Sequence, residues 1–185
     1  MKSKVVLTVM AFIAALGVLS GIALAAQDRY ALKVPNGLAF SEFRGYDRWS
    51  VIAISQNGNV IAAILGNHVM VAAFRSGIPG NGKPFPDGAK MAKIHWIPKK
   101  NETDPGHPIQ PGTLHDIDFM VKDSKRFADS GGWGWAEFEY DDPSDTFRPG
   151  TEADKPPQRN DAKCGFQCHS DAKDRDYVFT SYPKR

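Results

Sequence analysis

Apolar and polar residues alternate with a period of two in several short windows of the chain, the pattern of strands whose side chains point to opposite faces. The clearest window runs from Trp133 to Tyr140, where Trp133, Trp135, Glu137 and Glu139 alternate with Gly134, Ala136, Phe138 and Tyr140. Ala89 to Ile97 sets Met91, Lys93, His95 and Ile97 against Lys90, Ala92, Ile94 and Trp96. Both sets mix polar and apolar groups, so alternation alone does not say which faces inward. Trp49 to Ser55, Val60 to Leu65 and Leu114 to Val121 are further strands, the first ended by the turn Gln56-Asn57-Gly58-Asn59. The period becomes helical over His68 to Arg75, where Val69, Met70, Ala72 and Ala73 recur at helical spacing behind Asn67 as a cap.

Between these windows the punctuation is glycine and proline. Gly77 to Gly88 reads as a loop whose Pro86-Asp87-Gly88 turn launches the next strand, and Lys99 to Gly112 as a second loop. Asp123 to Ala128 reads as a short helix or turn, broken by Ser130-Gly131-Gly132. Asp141 to Asp161 is acidic, rich in proline and poor in apolar residues, the composition of an exposed linker. Tyr177 to Tyr182 is a last strand or a packed tail. About five short strands and a few short helices predict an α+β domain, mainly an antiparallel β-sheet.

Residues 1–25 fit none of these patterns. Lys2 and Lys4 precede an apolar run from Val5 to about Ala25 that closes on Ala23-Leu24-Ala25, the form of a secretory signal peptide. At roughly 20 residues the run also suffices for an uncleaved membrane anchor. Either reading exports the remainder, residues 26–185, expected as one domain in the periplasm. Without residues 1–25 the formal charge drops from +2 to 0, because two lysines are lost and no acid is. No strongly basic face remains, which excludes nucleic acid as a partner class.

Both cysteines lie in Cys164-Gly165-Phe166-Gln167-Cys168-His169. Two thiols followed at once by an imidazole suggest covalent haem attachment, although the usual C-x-x-C-H signature has one residue fewer between the thiols. A Cys164–Cys168 disulfide, permitted in an oxidising compartment, is the rival without haem; so small a loop constrains the unfolded chain little.

Several blocks, in order, resemble the cytochrome P-460 family and its non-catalytic relatives, the cytochromes c′-β. They are Gly45 to Trp49, Phe85 to Lys93, Met120 to Phe127, Gly131-Gly132-Trp133-Gly134, Cys168-His169 and Asp176 to Thr180. The resemblance implies a homodimeric antiparallel β fold carrying haem c. Cys164 and Cys168 would be the thioether cysteines and His169 the proximal iron ligand opposite an open distal site. Catalytic members bond a lysine to the haem rim, which falls here on Lys93, with Lys90 as the neighbouring mismatch.

The resemblance implies oxidation of hydroxylamine or nitric oxide, with electrons passed to a soluble partner. The alternative is a module that binds NO or CO without turnover. A proton acceptor near the open site is sought in Glu137 and Glu139, which share one face of their strand but also suit a solvated face. His68, His95, His107 and His115 show no metal-ligand spacing and read as surface or hydrogen-bonded residues. Trp133, Trp135, Phe138 and Phe179 read as core or haem-packing aromatics. Lys122, Lys125 and Arg126 read as a basic surface cluster able to meet a haem propionate.

Overall fold

A computed structural model describes residues 26–34, 37–150 and 165–184. Its centre is one six-stranded antiparallel sheet in which sequence neighbours pair throughout, in the order β1-β2-β3-β4-β5-β6. The strands are β1 (Ser50–Asn57), β2 (Val60–Gly66), β3 (Lys90–Lys100), β4 (Ile109–Lys122), β5 (Trp133–Asp141) and β6 (Thr146–Pro149). The expected α+β class holds, with one strand more than the alternation predicts. Two segments expected as loop or linker are partly strand. The hairpin of β3 and β4 continues past Pro98, which pairs with Pro111, into the region expected as loop. β6 falls within the acidic segment, where Phe147, buried opposite Tyr140, supplies the apolar anchor. Residues 151–161 of that segment, the leader and Cys164 lie outside the described residues. Tyr177 to Tyr182 forms no strand but packs as a tail: Tyr177, Val178 and Tyr182 join the core beside β5.

Register sorts the side chains onto two faces. Leu65, Ala92, Phe119 and Ala136 form one cross-strand row, and Ile64, Lys93, Asp118 and Glu137 form the adjacent row on the opposite face. The first face is covered by the N-terminal 3-10 turns at Phe40–Phe43 and Tyr46–Arg48. Phe40 is fully buried there, with ring centroids 4.8 to 5.9 Å from Tyr30, Tyr46, Phe119, Phe138 and Phe147. This aromatic cluster supplies the main apolar burial on that side. The second face is covered by α1 (His68–Arg75) and by the C-terminal segment. Helix α1 starts where expected, since the Asn67 side chain accepts the Met70 N–H at 3.0 Å.

Lys122 corrects the expected basic surface cluster. It is buried beneath the second face, where its Nζ donates to Asp176 Oδ1 at 2.7 Å and to the Gly131 carbonyl at 2.8 Å. Asp176 Oδ2 in turn accepts the Phe85 N–H at 2.7 Å. The C-terminal segment is thereby fastened to β4 and to the loop before β3. Gly131 has a reason to be glycine here: its φ is +67°, and a Cβ would sit 2.1 Å from the Tyr177 ring. Lys125 and Arg126 stay exposed, with Arg126 paired to Glu42 at 2.8 Å.

Candidate haem site

The second face of the sheet carries a cavity of about 470 Å³, within the size range of small-molecule and cofactor sites. Ile64, Met91, Met120, Trp135, Val178 and Phe179 give it apolar walls, and Lys93, Asp118 and His169 bring the ionisable groups. Lys93 and His169, far apart in sequence, therefore meet at one site. Lys90 does not join them: three residues earlier in β3, it points to the opposite face, where Nζ donates to the Glu42 carbonyl at 2.5 Å and lies 5.5 Å from the Phe43 ring centroid. Strand alternation thus separates the two lysines.

His169 ends the one-turn helix α2 (Phe166–His169). The chain then passes a 3-10 turn and reverses at Asp176 and Tyr177, whose φ values are +50° and +63°. The reversal returns the Tyr177 carbonyl to His169 Nδ1 at 2.6 Å. A carbonyl only accepts, so Nδ1 carries the hydrogen and Nε2 keeps the lone pair for a metal. Burial holds the imidazole pKa below its ordinary value; the Tyr177 carbonyl opposes this and the nearby Lys93 charge adds to it. A neutral ring with one free nitrogen is the form that ligates iron. Trp135 and Phe179 flank the ring, with centroids 5.4 and 5.1 Å away. Cys168 is exposed on α2, directly before His169.

The carboxylates are arranged differently from the sequence expectation. Glu137 and Glu139 do share the face of Lys93, in register with Asp118 and Asp116. Glu139, however, pairs with Arg148 at the exposed edge by β6. The acid that lines the cavity is Asp118. Burial pushes its carboxyl up to about 7, with the Asp116 and Glu137 charges adding and His95 and Lys93 opposing. Its signal in the sequence is the alternation of Asp116, Asp118 and Met120 along the strand Leu114 to Val121.

This shift has a measurable consequence. A carboxyl whose pKa rises from 3.8 unfolded to about 7 folded lends stability fully present below 3.8 and lost as pH rises through about 7. Asp118→Asn should therefore gain stability relative to the parent as pH rises from about 4 to about 7 and level off above it. Denaturant unfolding at several pH values checks it; a difference between the two proteins that is constant with pH would contradict it.

The cytochrome P460 family model matches residues 43–180, from the first aromatic core through β6 to the tail beyond His169. The chain belongs to the cytochrome P460 family. No curated protein matches it. Membership implies a haem cofactor, and the cavity fits one: apolar walls flank an imidazole whose only uncommitted nitrogen is Nε2. Histidine on one side of a largely apolar chamber is the donor set that haem iron requires. His68 and His107 stand away from this chamber, exposed on α1 and on the β3–β4 turn. Among the described residues no helix is long and apolar enough to cross a membrane.

Proposed function

We propose that the protein is an exported c-type cytochrome P460 that oxidises hydroxylamine or nitric oxide at an open haem site, passing electrons to an external acceptor. The observation that carries this reading is the presence of Lys93 and His169 on the walls of one cavity, while Lys90 faces away. In this reading Cys168 holds the haem by a thioether, Cys164 adds a second, and Lys93 bonds to the haem rim. Bound haem supplies an iron with one open face that draws electrons from a small nitrogen ligand.

The chain's own residues do the rest. His169 Nε2 would hold the iron, and the Tyr177 carbonyl fixes the ring's tautomer. The apolar walls limit water around the ligand. Asp118, with a pKa near neutrality, is matched to accept a proton from an N–H or O–H group there.

The test is haem-loaded protein given hydroxylamine and a soluble electron acceptor, with the ferrous optical spectrum recorded in parallel. Sustained acceptor reduction and a red-shifted ferrous Soret band are expected. An ordinary haem c spectrum with NO or CO binding and no turnover would replace the oxidase reading with that of a gas-binding module.

A further inference from the structure

Beside the cavity, three side chains able to ligate a metal converge from β3 and β4. Register sets His95 opposite Asp116 and Lys93 opposite Asp118, so all four share the second face of the sheet. One imidazole nitrogen of His95 and one carboxylate oxygen each of Asp116 and Asp118 lie within 4.8 Å of one another. His95 Nδ1 bonds Asp116 Oδ1 and stands 3.9 Å from Asp118 Oδ2. Outside this group, His115 Nδ1 bonds the other oxygen of Asp116. The side chains of His95 and Asp116 are 11% and 10% exposed and that of Asp118 is 22% exposed, whereas His115, at 51%, reaches solvent.

The carboxylates of this face outnumber the cations that oppose them. The charges of Asp116 and Glu137 both push Asp118 toward its neutral form, and Lys93 opposes them. Arg148 does not help, since Glu139 at the sheet edge already takes it. Among the described residues no group donates a hydrogen bond to the Asp118 carboxylate. A largely buried carboxylate without a donor, beside two further acids and an imidazole, is stabilised by coordinating a cation.

We propose that His95, Asp116 and Asp118 bind a divalent transition-metal cation of the zinc type, at a site separate from the haem iron. One imidazole with two carboxylates suits such an ion better than calcium or magnesium, which prefer oxygen ligands alone. Two ligand atoms on one zinc ion sit about 3.4 Å apart at tetrahedral angles, so the 3.9 Å between His95 Nδ1 and Asp118 Oδ2 has only to close slightly. As the metal enters, the hydrogen between His95 Nδ1 and Asp116 gives way to it. The neutral ring keeps its single hydrogen on Nε2, and Nδ1 and the two carboxylates each donate a lone pair to the ion. His115 stays on the outer oxygen of Asp116 and orients that ligand. Once bound to metal, Asp118 can no longer take a proton from a cavity ligand. Zinc should therefore inhibit hydroxylamine turnover; this consequence rests on the oxidative reading, whereas the site itself does not.

Zinc chloride titrated into chelator-treated, haem-loaded protein and followed by calorimetry tests the site without substrate. One zinc ion per chain is expected. Losing an outer partner of a metal ligand typically costs about 10- to 100-fold in affinity, so His115→Phe should weaken binding by that much, and His95→Gln and Asp118→Asn by more than about 100-fold. Asp118→Asn keeps the test readable if His95→Gln fails to fold, because it removes a carboxyl that burial disfavours. No binding by the parent would overturn the site, and so would zinc bound equally by all four proteins, as at exposed histidines such as His68 and His107. Hydroxylamine turnover of the parent should fall as the site fills, and that of His95→Gln only at more than about 100-fold higher zinc. A parent that binds zinc as expected but turns over no hydroxylamine would support the site and reject the oxidase reading.

Discussion

His169→Ala should cost haem-loaded protein the axial bond to iron, giving an altered ferric spectrum and a haem that dissociates readily wherever no covalent link retains it. The size of the loss follows from the shell around the ligand. Removing an outer partner of a metal-bound histidine typically costs about 10- to 100-fold in affinity, so removing the ligand itself should exceed about 100-fold. Here the outer partner is the backbone carbonyl of Tyr177, which side-chain substitution cannot delete. His169→Gln, of similar size but without the imidazole, should bind haem as poorly as the alanine variant. Haem titration followed at the Soret band decides the matter; affinity within threefold of the parent in His169→Ala would remove His169 from the iron.

Asp176→Ala should produce the largest loss of stability among the substitutions considered. It leaves the Lys122 ammonium, whose side chain is 6% exposed, without its carboxylate, and leaves the Phe85 N–H without its acceptor. Breaking a buried ion pair from one side costs about 3–5 kcal/mol, whereas replacing both partners by apolar groups costs far less. Lys122→Met combined with Asp176→Leu should therefore recover part of what Asp176→Ala loses. The same loss should reach the haem site, since Asp176 directly precedes the carbonyl that orients His169. Denaturant unfolding gives the stability, and the haem spectrum gives the coupling. A double variant no more stable than Asp176→Ala would show that the pair does not act as a buried charge couple.

The pattern of the sequence carries the sheet well because most strands are long enough for alternation to show. It also separates Lys93 from Lys90, since residues three apart on a strand cannot share a face. β6 escapes because its four residues hold a single buried apolar side chain within an acidic, proline-rich stretch. Lys122 and Asp176 escape for a different reason. Each looks like an ordinary surface charge until the tail folds back 54 residues later and brings them together. Asp118 belongs to the same class, because its significance lies in the neighbours from β3 and β5 that register places beside it. Glu137 and Glu139 are also acids on the cavity face, but the acid in the cavity wall stands one strand closer to Lys93. The tail's reversal through left-handed Asp176 and Tyr177 explains why Tyr177 to Tyr182 packs without joining the sheet.

The central claim is that haem sits in the cavity between His169 and Lys93. Peptide mapping by mass spectrometry of the haem-loaded, proteolysed protein tests it most directly. Haem seated between His169 and Lys93 should be found joined both to the peptide containing Cys168 and to the peptide containing Lys93, with Lys90 unmodified. Haem found on the Cys168 peptide with Lys93 recovered unmodified would contradict the cross-link, and haem found on neither would contradict covalent attachment at this site.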